Sequence, residues 1–444
     1  MMRKDGNATH NHQNHLAIFD LDGTLFETHS ITVPATVKAL TDMGLSSVPE
    51  SKICSMIGAT WSDFTANLAP ELSKKERRTL ASYISKYEKE FLGTKGRLYP
   101  GTSDMVKGLL DQGITMSICS NGSIDYIEKV LTAFSLISCF DHILSCSTEL
   151  TKSEAVAQLL TKANAQRAIV VGDRLEDIEA AQVNGCTSVG ACYGYGQDEV
   201  GHADYIANSS EEVLYAILMW RVFSVIEHCI IEWKKPSWPT IVGINGVDLS
   251  GKSTLATSFQ DYLRKRGYNV ELIHLDDFHN PSAKRREGGN PIDAYLRNAF
   301  NTSLLESEVL GPIAETGRLS TTLTLLDLET DTYSNHQRYD VCENTIVLLE
   351  GVLLFRPPVD NYIDLRVFLD IGFDEVLKRA KSRDVARFGA EILPAYRNKY
   401  IPLQKKYLRE YLPKQAADIV IDNEDFMRPR IISIKASGMA QRFG

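Results

Sequence analysis

No two of the eight cysteines stand in a CxxC spacing; Cys54, Cys119, Cys139, Cys146, Cys186, Cys192, Cys229 and Cys342 are scattered along the chain. Without an even framework in a short segment, the cysteines argue against a disulfide scaffold and for a reducing, cytoplasmic setting. Positive charge is also in deficit, with 48 Lys and Arg against 57 Asp and Glu and a net charge of −9. A protein whose main task is to grip a nucleic-acid backbone would carry the opposite balance. Gly, at 29, and Pro, at 15, are not in excess, which excludes collagen-like, low-complexity and largely disordered chains. The opening MMRKDGNATHNHQNH lacks the apolar stretch of a secretory signal, so residues 1–14 read as a disordered leader rather than a histidine metal tail.

An uninterrupted membrane-spanning run is missing as well. The one apolar stretch of that length, from Leu214 to Trp233, is broken by Arg221, Glu227 and Glu232. Arg221, Ser224, His228, Glu232 and Lys235 fall at helical spacing and leave a wide apolar remainder, so 211–237 reads as a buried connecting helix with no role in a membrane. Lys234-Lys235-Pro236-Ser237 ends it and marks a domain boundary.

What is present is 444 residues, 24% charged and 43% hydrophobic, enough for two or three cores. Short apolar runs alternate with helical patterns: Leu16 to Phe19, Ile114 to Cys119 and Ala168 to Val171 before the boundary. After it come Ile241 to Ile244, Val270 to Leu275, Ile346 to Leu349, Leu365 to Leu369 and Ile419 to Ile421. Buried parallel strands have this signature, so the expectation is α/β architecture with two tandem parallel-sheet domains, over 15–210 and 238–444.

The first strand runs into Asp20-Leu21-Asp22-Gly23-Thr24, with carboxylates at i and i+2 where an open α/β sheet binds ligands. An ordinary turn or the start of a calcium loop would also read DxDG, although Thr24 stands where such a loop wants Asp or Asn and no Glu closes it. Three further stretches follow in order: Ser120-Asn121-Gly122, then Lys152, then Gly172-Asp173 with Asp177 four residues on. They supply a nucleophile, a neutral donor, a cation and a second carboxylate pair, the parts that phosphoryl transfer needs.

In order and spacing these residues resemble the four motifs of the haloacid dehalogenase superfamily of phosphatases. The resemblance implies a Rossmann-like core with a helical cap at about 28–98, where Val37 to Met43 and Glu76 to Phe91 carry helical patterns. It implies Asp20 as nucleophile and Asp22 as general acid and base, with Ser120, Asn121 and Lys152 on the phosphoryl oxygens. Mg²⁺ would be held by Asp20, the backbone carbonyl of Asp22, Asp173 and, directly or through water, Asp177. Val170 to Arg174, Tyr193-Gly194-Tyr195-Gly196 and Ala203 to Ala207 look like the phosphoglycolate-phosphatase and 5′-nucleotidase-like branch, whose substrates are small phosphate esters.

The strand Ile241 to Ile244 opens an intact GxxxxGK[ST], from Gly246 through Ser250, Gly251 and Lys252 to Ser253, with Thr254 next. Glycines at the mouth of a helix let backbone N–H groups cradle phosphates, and the periodic helix Ser253 to Arg266, closed by Gly267, supplies that context. Lys252 is expected on the β and γ phosphates of ATP and Ser253 on Mg²⁺. The next strand ends in Leu275-Asp276-Asp277-Phe278-His279 and a later one in Leu349-Glu350-Gly351. Asp277 reads as a helix cap and His279 as a solvated loop residue.

This order resembles the uridine kinase and phosphoribulokinase family of P-loop kinases. The resemblance implies Asp276 as the base for the acceptor hydroxyl and, with Ser253 and Glu350, as part of the metal site. Arg379, Arg383 and Arg387 share one helix face at i, i+4 and i+8, and Arg383 to Gly389 is similar to the family's lid, which places them on ATP phosphates. Asn290-Pro291-Ile292-Asp293 loosely matches the acceptor site, making Asp293 a substrate contact. The combined expectation is a bifunctional phosphatase and ATP-dependent kinase whose partners are small phosphate esters, ATP and a small hydroxylated acceptor. Two other readings compete: a nucleic-acid end-processing enzyme, disfavoured by the acidic balance, and a nucleotide-binding sensor, which would need neither nucleophile nor base.

Overall fold

In the computed structural model, residues 14–146, 150–235 and 237–435 are described; the expected leader lies outside them except for Asn14, as does Pro236. The chain divides into two compact units between Arg221 and Val222, inside the helix Ser210–Trp233. That helix is long and apolar enough to cross a membrane by length and composition, but 72% of its most apolar window is buried in the protein. Two of its charged residues have protein partners: Arg221 Nη1 donates to the Gln112 carbonyl at 2.7 Å, and Glu227 accepts from Tyr262 Oη at 2.9 Å and Arg266 Nε at 2.8 Å. All eight cysteines are free.

The first unit holds β1 (His15–Phe19), β2 (Thr115–Ser120), β3 (His142–Ser145), β4 (Arg167–Gly172), β5 (Thr187–Ala191) and β6 (Tyr205–Ala207). They form one parallel sheet in the order β3-β2-β1-β4-β5-β6. β1 and β5 are buried along their whole length, and Leu16, Ile18, Val170 and Ala180 meet in the core. In this order the chain turns back between β1 and β4, so their carboxyl ends flank the crevice where such sheets bind ligands.

Between β1 and β2 the helices His29–Asp42, Glu50–Ser55, Trp61–Leu68 and Lys74–Lys95 build the cap around its own core, with Leu40, Ile53, Phe64, Leu80 and Ile84 in contact. The longest of them starts where it does because Ser73 and Glu76 form a reciprocal capping box, with Ser73 N donating to Glu76 Oε2 at 2.8 Å.

The second unit holds β7 (Thr240–Gly246), β8 (Val270–His274), β9 (Leu319–Asp327), β10 (Thr332–Val341), β11 (Ile346–Gly351), β12 (Leu365–Asp370), β13 (Ile419–Asp422) and β14 (Arg430–Ile434). Six of these make a sheet in the order β14-β13-β12-β7-β11-β8, parallel except for β14, which runs antiparallel to β13. β9 and β10 form a separate antiparallel hairpin that the sequence reading passed over. Along β9 every second residue is half-buried, since one face packs and the other meets solvent, so the stretch lacks the continuous apolar run used to find buried strands. β3, β5 and β6 escaped notice for a related reason: all are short, with His and Ser in β3 and Ser and Gly in β5 diluting the apolar pattern, and β6 only three residues long.

Candidate active sites

Asp20 leaves β1 with its amide donating to the Val171 carbonyl of β4 at 2.9 Å, so the sheet's own ladder fixes where its side chain starts. Asp173 follows β4 directly, and Asp177 sits in the first turn of the helix Leu175–Val183. One carboxylate oxygen from each of Asp20, Asp173 and Asp177 lies within 4.8 Å of the others, the only such acidic grouping among the described residues. Lys152, at the start of the helix after β3, places Nζ 3.0 Å from Asp20 Oδ1 and 2.5 Å from Asp177 Oδ1.

All four side chains are buried, and the electrostatics follow. Burial pushes Asp20 well above the usual carboxylate range, with Lys152 opposing and Asp177 and Asp173 adding to the rise. Asp173 is raised to about 6, by burial first and then by Asp177, against the hydrogen bond from the Tyr195 amide. Burial pulls the Lys152 ammonium down, but Asp177 and Asp20 outweigh it and hold it well above its ordinary value.

The backbone around the acids is fitted closely. Gly23 has φ +88, and a Cβ there would stand 2.3 Å from Asp173 Oδ2. At Gly194 a Cβ would meet Asp173 Cβ at 2.3 Å and the Gly23 carbonyl at 2.4 Å. The Tyr193–Gly196 loop thus closes on Asp173, with the Tyr195 amide on Oδ2 at 2.7 Å, while Thr24 Oγ1 reaches Oδ1 at 3.3 Å.

Asp22 does not join the acidic group with its side chain. Its Oδ1 accepts from Thr28 Oγ1 at 2.5 Å and Tyr126 Oη at 2.7 Å, and its pKa is raised by burial despite those bonds. It lines a cavity roofed by cap residues such as Ile31, Trp61 and Phe64. Ser120 ends β2, buried beside β1, and its Oγ accepts from the Gly122 amide at 3.3 Å.

Asn121 departs from expectation: its Nδ2 donates to the Gly58 carbonyl at 3.1 Å and to Glu176 Oε2 at 3.4 Å. Together with Arg174 Nη2 on the Ile57 carbonyl, at 2.6 Å, it ties the cap loop to the core. Thr28, Tyr126 and Tyr195 were missed, because nothing local distinguishes a hydroxyl or amide that reaches the site across the fold.

In the second unit β7 delivers Gly246 to a turn whose last glycine, Gly251, has φ +95, and the helix Lys252–Lys265 begins there. A Cβ at Gly246 would stand 2.5 Å from Ser250 Oγ and 2.6 Å from the Leu369 carbonyl. Leu249 also adopts positive φ, at 60°, which costs a branched side chain about 1 kcal/mol.

Lys252 Nζ rests on the Val247 carbonyl at 2.8 Å and Ser250 Oγ at 3.5 Å. Burial pulls its pKa down, against Asp248, Glu350 and Asp276. Ser253 Oγ donates to Glu350 Oε1 at 3.0 Å, and His274 Nδ1 lies 2.7 Å from the same oxygen. Thr254 is exposed on the first turn. Asp276 lies in the single 3-10 turn after β8, its carbonyl 2.7 Å from His279 Nδ1. His279 is not solvated: it is buried against Phe300, ring centroids 4.5 Å apart, and Asp277 caps no helix.

The three arginines go to three different places. Arg379 is tied to the carbonyls of Leu249 at 3.0 Å, Asn423 at 2.5 Å and Glu424 at 3.0 Å, so it braces the strained turn and its guanidinium is already occupied. Arg383 pairs with Asp384 at 2.6 Å and is largely exposed, and Asp248 acts on its charge. Arg387 is exposed 3.6 Å from Glu329. Helical spacing put them on one face but could not say what each would meet. Asp293 is ion-paired with Lys406, a partner the sequence does not reveal.

Residues 17–191 match the sequence model of the haloacid dehalogenase-like hydrolases, and residues 241–424 match that of the phosphoribulokinase/uridine kinase family. The phosphoglycolate phosphatase of Vibrio vulnificus is 27% identical over 221 residues, covering 46% of this chain and 96% of that enzyme. That of Agrobacterium fabrum is 30% identical over 193 residues, covering 40% of this chain and 81% of its own length. A solved structure of a possible uridine kinase from Bacillus stearothermophilus is 25% identical with a TM-score of 0.35, over 45% of this chain and 98% of that one.

Proposed function

The chain belongs to the haloacid dehalogenase-like hydrolases in its first half and to the phosphoribulokinase/uridine kinase family in its second, and from that premise we propose one polypeptide with two separate phosphoryl-transfer sites. The first hydrolyses small phosphate monoesters; the second transfers phosphate from ATP to a small hydroxylated acceptor. The observation that carries the reading is the convergence of Asp20, Asp173 and Asp177 with Lys152 at the carboxyl ends of β1 and β4.

Three buried carboxylates against one ammonium leave an uncompensated negative charge, and their oxygens suit a hard divalent cation such as Mg²⁺, with Asp20, Asp173 and Asp177 as its holders. When bound, Mg²⁺ supplies charge neutralisation that lets an anionic ester approach an anionic nucleophile. Asp20 attacks phosphorus, and the ester oxygen leaves as the new P–O bond forms. Asp22, whose burial favours the protonated acid, gives its proton to that oxygen, then takes one from the water that cleaves the aspartyl phosphate. Lys152 and Ser120 hold the phosphoryl oxygens.

In the second unit Lys252, which here engages the Val247 carbonyl and Ser250 hydroxyl, would turn to phosphate oxygens, and Ser253 and Glu350 would hold a divalent cation that neutralises phosphate charge. Asp276 takes the acceptor's proton. Opposed activities on one hydroxyl would merely consume ATP, so the two sites serve different positions, serve different substrates or are reciprocally controlled. Asp20→Asn is expected to abolish phosphatase activity and spare ATP-dependent transfer, and Lys252→Ala to do the reverse. Loss of both activities in either variant contradicts the two-site model.

A further inference from the structure

The cap helix Lys74–Lys95 buries Leu80, Ile84, Tyr87 and Glu88 on one face. Glu88 is therefore an acid on the helix's buried stripe, only 6% exposed. Thr32 Oγ1 donates to its Oε1 at 2.5 Å, and among the described residues no lysine or arginine stands within ion-pair distance and Oε2 takes no hydrogen bond. Burial, opposed by the Thr32 bond and aided by the charge of Asp22, raises its pKa to about 7. A carboxylate held this way costs stability, which fits a group kept for a ligand better than one kept for folding.

Glu88 lines the same cavity as Asp22, Tyr126, Ile31, Trp61 and Phe64. Asp22 as general acid would protonate a leaving group seated in the cavity it lines, so the inference rests on the phosphatase reading above. The cations at the cavity, Lys89 and Lys129, are both held by Asp125, at 3.3 and 2.6 Å, and neither offsets Glu88. We propose that Glu88 is a specificity-determining residue that selects phosphate monoesters whose leaving group carries a hydrogen-bond donor, a hydroxyl or an ammonium, and disfavours one carrying a carboxylate. A glycolate leaving group would bring its carboxylate into the cavity that Glu88 lines, so the preference expected here differs from that of the relatives named for phosphoglycolate.

The test measures kcat/KM of the full-length protein with Mg²⁺ for phosphoethanolamine, glycerol phosphate, phosphoglycolate and p-nitrophenyl phosphate. The wild-type chain should favour the first two over phosphoglycolate by about tenfold or more. Glu88→Gln keeps an acceptor for Thr32 but removes the charge, and should lower the phosphoethanolamine-to-phosphoglycolate ratio about tenfold, with a smaller fall for glycerol phosphate. Wild-type preference for phosphoglycolate overturns the inference while leaving the phosphatase reading intact, and needs no variant to fold. An unchanged ratio in a folded Glu88→Gln overturns it too. If no ester is hydrolysed, p-nitrophenyl phosphate included, the phosphatase reading falls and takes this inference with it.

Discussion

Replacing Lys152 by Met removes the one cation that, among the described residues, is ion-paired with the three-carboxylate cluster. Its ammonium lies 3.0 Å from Asp20 and 2.5 Å from Asp177, with side chains 8%, 7% and 1% exposed, so water screens little of the loss. Breaking a buried pair by deleting one partner costs about 3–5 kcal/mol, because the remaining charge stays desolvated. For a unit of this size each kcal/mol moves Tm by about 2–4 °C, so Lys152→Met should lower the melting transition of the first unit by roughly 6–20 °C in EDTA. Mg²⁺ restores two positive charges to a cluster now one charge more negative. At about a hundredfold excess over its Kd it contributes about 2.7 kcal/mol, and more in the variant than in the wild type through tighter binding. Calorimetry of the full chain with EDTA and with saturating Mg²⁺ measures both shifts, and phosphatase activity should fall at least about a hundredfold. A variant that melts with the wild type in EDTA, or gains no more from Mg²⁺ than the wild type does, would refute the charge argument.

Three other outcomes are expected. Glu88 has a folded-state pKa of about 7 against an ordinary 4.5, so its burial costs nothing below the lower value, grows between them and is complete above the upper. Glu88→Gln should therefore stabilise the first unit by about 3 kcal/mol at pH 8 and hardly at pH 4, measured by urea denaturation; a gain independent of pH contradicts the assignment. Gly194→Ala drives a methyl to within 2.3 Å of Asp173 Cβ and should cut phosphatase turnover at least about tenfold while sparing nucleotide binding. Arg379→Met releases the Leu249 carbonyl and should weaken binding of a non-hydrolysable ATP analogue by about tenfold in titration calorimetry; unaltered affinity would show that the turn holds itself.

The eight apolar runs are all strands of the two main sheets, although Thr115, Ser117, Glu271, His274 and Arg366 interrupt three of them. The strands that escaped, β3, β5, β6, β14 and the β9–β10 hairpin, are short, interrupted or half-exposed, and their place depends on what packs on them. Spacing along the chain likewise put Asp20, Lys152, Asp173 and Asp177 at strand or helix ends, and the parallel order of β1 and β4 brought them together.

Local chemistry also marked Gly246 to Ser253, because a phosphate cradle is built from consecutive residues. Contacts between distant segments carry no such mark. That Asn121 turns to Gly58, that Arg379 braces Leu249, that Lys406 takes Asp293, and that Glu88 faces the cavity over Asp22 all depend on which surfaces the packed helices present. Where charged and glycine residues leave buried strands can be read locally, since backbone periodicity is written residue by residue. Which of those groups meet follows from how separate elements pack in three dimensions.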